Sequence, residues 1–387
     1  MIPGSMVSAI TAAVFVGMLT PVALSVPSAA QGWSPVEGMT LELAGTVDAL
    51  AHVHGGRDRG TTGLYSADAM VSLDGKALGA WRGLGAFFHG IRLGGDAPTE
   101  RVGDIQGVSN IEGPEGWVLY EAWVEQMALD GRLSVLAGLY GVDSEFDVIQ
   151  SASLFMHSSH GTGPDFSQIG RNGPSIFPDT RLGIRVRALT SSATSMQMAV
   201  LHEDPGSIVV VEGSWFKVDR RQRVEPDAEI GGQSVRRRLA SRMGTVPLAA
   251  RIAVGAWTAT DGAPGNRGAW VLAERRIPTR QTGAVFVRMG VAERSSDARS
   301  NRVQAYTGAG IVHPAPIPGR NMDTIGLGLA IAHENSRQRE TAIEAAYRVF
   351  VSPRLSVQAD IQWVKNPLDA DAVSAALLLG LRFLASW

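Results

Sequence analysis

The stretch Trp117-Val118-Leu119-Tyr120-Glu121-Ala122-Trp123-Val124-Glu125-Gln126 decides the fold. Val118, Tyr120, Ala122 and Val124 fall on one side of it, and Glu121, Trp123 and Glu125 on the other. A period of two marks a strand with one apolar and one polar face. Leu129-Asp130-Gly131 follows as an Asp-Gly turn that accommodates positive φ. The chain then reverses into a run with Leu133, Val135, Ala137 and Leu139 on its apolar side. Roughly forty residues rich in Gly, Ser, Pro and His come next without sustained periodicity, an unusual length for a connection in a compact domain and so a functional one. Alternation resumes with Leu182, Ile184, Val186 and Ala188 opposite Arg181, Arg185 and Arg187.

Carboxylates on one strand and guanidiniums on another cannot form the dry core of a sandwich, because burying each unpaired costs several kcal/mol. One-sided polarity of this kind suits a sheet with lipid outside and water inside. The long aperiodic segment is then a loop that folds into or over a lumen.

The remaining chain repeats the pattern. Leu41, Leu43, Val47, Ala49, Ala51 and Val53 oppose Glu42, Thr46, Asp48, His52 and His54. Tyr65, Ala67, Ala69, Val71 and Leu73 oppose Ser66, Asp68 and Ser72. A third strand is expected from about Ala80 to Leu93. Met196 to Val200, Ile208 to Val218, Leu248 to Trp257, Gly268 to Ile277, Gly283 to Ala292, Val303 to Val312, Thr324 to His333 and Thr341 to Val351 continue the series. Residues 219–246, with Arg236-Arg237-Arg238, are charged and poorly periodic, and are expected to hold strands and a loop. The final run alternates Leu377, Leu379, Leu381, Phe383, Ala385 and Trp387 against Leu378, Gly380, Arg382, Leu384 and Ser386. A terminal aromatic on such a strand is the feature read by outer-membrane barrel-assembly machinery.

Composition narrows the classes further. The 387 residues include 45 Gly and no Cys, with 19% charged and 45% hydrophobic. No apolar run of ~18 residues follows the N-terminus, so an ordinary transmembrane helix is excluded. The absence of Cys excludes disulfides and thiolate chemistry. A net charge of −2 argues against nucleic acid as a partner. Residues 1–30 carry no charge, and Ser28-Ala29-Ala30 makes a small-residue cleavage site. They are expected to be a signal peptide, leaving 31–387 as the barrel. Strands of ~10 residues with turns every ~20 give an all-β, antiparallel outer-membrane barrel of about 16 strands with an inward-folding constriction loop.

Several segments resemble the OprB family of carbohydrate-selective porins. They are Val102 to Glu112, Leu119 to Gln126, Asp143 to Phe146, Ser153 to Ser159, Ile317 to Arg320 and Val357 to Pro367, in family order. The resemblance implies passive uptake of sugars, glucose especially, through a lumen lined by charged and aromatic residues. Carboxylates accept from sugar hydroxyls, guanidiniums donate to them, and aromatics stack on the C–H face of the ring. Glu121, Trp123, Glu125, Arg185 and Arg187 supply all three and are the first candidates for the pore lining. Asp48 and His52, and Asp143 and Glu145 at the loop base, are the second. The alternative for these charges is wall salt bridges that touch no substrate.

The rival functions are a general or anion-selective porin, an outer-membrane β-rich hydrolase, and a secreted β-sandwich. His157-Ser158-Ser159-His160 places hydroxyls beside imidazoles, but spacing alone does not make a nucleophile–base pair. His52-x-His54 lacks a nameable third metal ligand. No catalytic residue, metal or cofactor is assigned. The expected partners are small sugars as permeants, outer-membrane lipid and the assembly machinery, in a monomer or homotrimer.

Overall fold

The computed structural model describes residues 32–170, 173–218, 248–260, 266–277, 283–293, 302–314, 316–370 and 373–387. The signal-peptide reading of residues 1–30 and the strands expected within 219–246 lie outside the described residues.

Sixteen strands run in chain order: β1 (Met39–Gly55), β2 (Gly60–Asp74), β3 (Leu84–Gly95), β4 (Gly116–Ala128), β5 (Leu133–Tyr140), β6 (Arg181–Ser191), β7 (Thr194–His202), β8 (Ser207–Val218), β9 (Leu248–Ala259), β10 (Arg267–Ile277), β11 (Gly283–Ala292), β12 (Ala305–Pro314), β13 (Thr324–His333), β14 (Arg339–Ser352), β15 (Leu355–Lys365) and β16 (Ala375–Ser386). Each pairs antiparallel with its chain neighbours, and β16 closes on β1 through pairs such as Asp48↔Arg382. Closure leaves no sheet edge, so the strands' backbone N–H and C=O groups are satisfied within the wall.

Side-chain parity follows the sequence closely. On β6, Leu182 and Ile184 are 62% and 56% exposed, whereas Arg185 is 1% exposed. On β16, Leu379, Leu381 and Phe383 are exposed and Arg382 is buried. The exposed face is therefore the apolar one, as a lipid-facing wall requires. β15, which carries family likeness in the sequence, takes part as a regular strand between β14 and β16.

Two expectations need correction. Val118 and Tyr120 do not share the outer face with Ala122 and Val124. His89 pairs with Glu121 and Gly90 with Leu119, so Tyr120 is an extra residue in β4. This bulge inverts the phase of everything before it. Trp117 and Leu119 point outward at 78% and 57% exposure, and Tyr120 is 3% exposed. The third strand begins at Leu84 rather than Ala80, because Gly79 and Gly83 adopt φ of 85° and 86° and keep the preceding residues in a turn.

Residues 129–132, 192–193 and 353–354 make tight turns at one end of the barrel, whereas 96–115 and 141–180 are long connections at the other. Short turns face the periplasm and long loops the exterior in barrels of this kind. Two short helices, α1 (Pro98–Val102) and α2 (Pro164–Ser167), lie in the long loops. Loop residues Phe146, Phe155, Phe166 and Ile169 are buried with inward-facing Phe87, Trp257, Trp270 and Phe286 of the wall. The Phe166 and Trp270 rings stack at 4.9 Å.

The bulge predicts a phase reversal in labelling. Single cysteines at Trp117, Leu119, Ala122 and Val124 should react with a lipid-soluble maleimide, and those at Val118 and Glu121 should not. Labelling at Val118 equal to that at Leu119 would remove the bulge.

Candidate functional site

Loop 141–180 starts at a junction of paired charges. Glu121 of β4 accepts the Gly141 amide at 2.8 Å. Asp143 accepts the Tyr120 hydroxyl at 3.1 and 3.2 Å, so the bulged residue anchors the loop base. Glu145 meets Arg185 Nε at 2.7 Å, Arg187 Nη1 at 2.9 Å and the Tyr140 hydroxyl at 2.7 Å. Glu125 completes the group, pairing with Arg185 Nη2 at 3.0 Å and accepting from Ser134. Burial alone would raise the Glu145 carboxyl. The two guanidiniums and the Tyr140 hydroxyl overcome it and hold the group at about 2.

The loop is then held to the wall at each step by a strand side chain. Asp147 and Asp165 both grip Arg288 of β11; the Asp147 contacts are 2.8 and 3.0 Å. Glu212 of β8 accepts the Asp147 amide, and Arg251 of β9 donates to the Val148 carbonyl at 2.6 Å. Glu274 of β10 accepts from the amide and hydroxyl of Ser151. Glu344 of β14 accepts the amides of Met156 and His157. Gln358 of β15 donates to the Leu154 carbonyl at 3.0 Å. The loop backbone, which has no ladder to join, is thereby satisfied by the wall.

Room for the loop against β13 comes from glycine. On the inner face of β13, a Cβ at Gly326 would sit 2.7 Å from Leu154, and one at Gly328 would sit 2.6 Å from the His160 ring. Loop 96–115 docks beside it. Glu340 accepts the Ile105 amide, Ser109 donates to Asp48 at 2.7 Å, and Asn110 accepts from Arg382. The loops also bond to each other, Asn110 to the Met156 carbonyl and Ser159 to Gln106.

The structure thus gathers Glu125, Arg185, Arg187 and Glu145 into one cluster, with Glu121 and Asp143 at the adjoining loop base. Trp123 packs on Phe87 at 5.2 Å between ring centres. Asp48 and His52 stand apart on β1. Asp48 takes Arg382 in a bidentate pair at 2.6 and 2.7 Å, and His52 lies 3.3 Å from Thr62. Side-chain exposure within the cluster is greatest at Arg187, at 12%. The register slips between His52 and His54.

Sequence reasoning missed Asp147, Asp165, Arg251, Glu274, Arg288 and Glu344. Arg251, Glu274, Arg288 and Glu344 lie within the alternating runs read from the sequence, but their loop partners carry no periodic signal.

His157 and His160 are fully enclosed. His157 Nε2 lies 4.0 Å from Asp104, and His160 Nε2 lies 3.8 Å from Glu344. Burial lowers His157 to about 4, and burial with the His157 ring lowers His160 to about 3. Burial, then Glu340, pushes the Asp104 carboxyl well above the ordinary range.

A closed sixteen-stranded barrel with a long loop fastened to its inner wall defines a channel of the porin class. The family model "Carbohydrate-selective porin, OprB family" matches residues 58–264 and 215–386. The chain belongs to the OprB family, and with it to the outer membrane of Gram-negative bacteria. It is 24% identical to Porin B of Pseudomonas aeruginosa over 411 aligned residues, 89% of this chain and 87% of that one. The high-pH structure of Pseudomonas putida OprB aligns with a TM-score of 0.74 at 18% identity, covering 90% of this chain and 94% of that one. A triple mutant of the Rhodopseudomonas blastica porin aligns at 0.53 and 11% identity, covering 89% and 99%.

Two outcomes are expected. Arg288→Ala leaves Asp147 and Asp165 buried without their cation, a loss of about 3–5 kcal/mol. The loop should come off the wall, read as faster proteolysis within 141–180 and a larger, noisier conductance. The histidines set a pH dependence. Their values are depressed on docking, so the contribution is fully present above ~6.5 and is lost as pH falls through about 4 and 3. Channel noise should rise as pH drops from 7 to 4, and His157→Asn with His160→Asn should flatten that rise. A profile unaltered by the double substitution would assign the acid response elsewhere.

Proposed function

We propose that the protein is a porin for passive diffusion of small neutral carbohydrates, glucose-like mono- and disaccharides, across the outer membrane. The observation that carries the reading is the match to carbohydrate-selective porins over a barrel whose inward guanidiniums Arg185, Arg251, Arg288 and Arg382 are each paired with a carboxylate. Paired charges offer donors and acceptors in alternation without a strong net field. A sugar carries hydroxyls and no charge, so it can exchange hydration water for such a wall at little cost. Arg187, Glu125, Glu145, Arg185 and Trp123 are proposed as the lining near the loop base, with Glu121 and Asp143 holding its shape. Asp48 and His52 are proposed for the β1 side. Porin family and fold point to a channel rather than an enzyme. We assign β16, ending in the aromatic run to Trp387, to recognition by the assembly machinery.

Planar-bilayer recording tests this. Glucose and maltose should lower the single-channel conductance in a concentration-dependent way. Arg187→Ala and Arg185→Ala should weaken that block several-fold, with Arg185→Ala also loosening the loop. A channel insensitive to sugar but selective for small anions would instead make it a general or anion-selective porin.

A further inference from the structure

The outer wall carries a shallow, apolar depression with a charged rim. It lies near the extracellular ends of β8 to β11 and has a volume of about 620 Å³. Two rows of outward side chains cross it. The lower row pairs Val211 with Ala256, Ala256 with Ala269, and Ala269 with Val291. The upper row pairs Val209 with Thr258 and Thr258 with Arg267, and Glu293 follows through its amide bond to the Arg267 carbonyl. Two alanines form the floor, and Val211 and Val291, 41% and 59% exposed, stand as its sides.

The rim carries charge where the wall below is apolar. Arg267 is 73% exposed, and its Nε lies 2.6 Å from Glu293. Among the described residues its two terminal nitrogens make no hydrogen bond. An exposed pair of this kind contributes about 0–1 kcal/mol, so the guanidinium can take a second anion without a large loss. Arginine's planar fork suits the oxygens of a phosphate.

We propose that this groove binds an outer-leaflet lipid, with an acyl chain along the Ala256–Ala269 floor and a phosphate of the headgroup on Arg267. The site faces the bilayer, so its apolar floor meets acyl chains in the membrane. It lies toward the ends of its strands that carry the long loops, the outer-leaflet side of such a barrel. The exposed guanidinium of Arg267 at the rim favours an anionic headgroup over a second copy of the chain. The inference rests on the outer-membrane barrel and is independent of which solute passes through it.

Native mass spectrometry of the full-length protein, reconstituted with lipid A and released in mild detergent, tests it. One retained lipid adduct is expected on the wild type. Ala256→Trp with Ala269→Phe fills the floor and should lower adduct occupancy at least fivefold. Arg267→Gln should lower it about threefold, and Arg267→Lys less. Monophosphoryl lipid A should bind the wild type more weakly than the bisphosphorylated form. Ala345→Trp, on the outer face of β14, serves as the control and should change nothing. Heat-modifiable migration and unchanged conductance confirm that each variant is a folded barrel. Equal occupancy in all variants, or equal loss in the control, overturns the proposal. A dimer mass lost on filling the floor, with no lipid adduct, also overturns it and gives the groove to a second copy.

Discussion

Charge that leaves water must be met by opposite charge or by hydrogen bonds, and the lumen of this barrel is built around that constraint. Arg288 is buried in the interior and would be prohibitively costly alone. Asp147 and Asp165 meet it from the loop, and the loop is fixed in place by doing so. Arg185 with Glu145 and Glu125, and Arg382 with Asp48, repeat the arrangement at two other places on the wall. Breaking any one leaves a charge behind, which is why each holds its segment more firmly than an exposed pair would.

These fastenings explain the division of labour between wall and loop. The strands satisfy one another's backbone groups and turn their aliphatic residues to lipid. Their inner faces are then free to carry carboxylates, guanidiniums and amides. Glu212, Glu274 and Glu344 use that freedom to accept loop amides, while Arg251 and Gln358 donate to loop carbonyls. Glycines on β13 give the loop its track. Ion pairs and loop-to-wall hydrogen bonds together fix the inner face of the barrel.

The strand pattern was legible in the sequence because the two environments of a barrel wall differ so sharply. Leu182, Ile184 and Val186 against Arg181, Arg185 and Arg187 can be read only one way. Trp117 to Tyr120 was misread because both parities there are apolar, so a bulge leaves no trace in polarity. Glu125, Glu145, Arg185 and Arg187 could be nominated by parity and loop position. Salt bridges among them were open as an alternative, but which partners meet was not legible, nor was Arg288 with Asp147 and Asp165, which lie 141 and 123 residues away in the chain. Aperiodic loops acquire their contacts from the fold, and nothing local announces them.

We propose that loop 141–180, fastened to the wall, sets what passes. The most direct measurement is liposome uptake of a graded series of sugars by the wild type and by a variant with residues 146–168 replaced by a short Gly-Ser linker. The account predicts that the wild type passes monosaccharides several-fold faster than trisaccharides, and that the shortened variant passes both at similar, higher rates. The same size discrimination in both proteins would contradict it and place the constriction in the strands or in another loop.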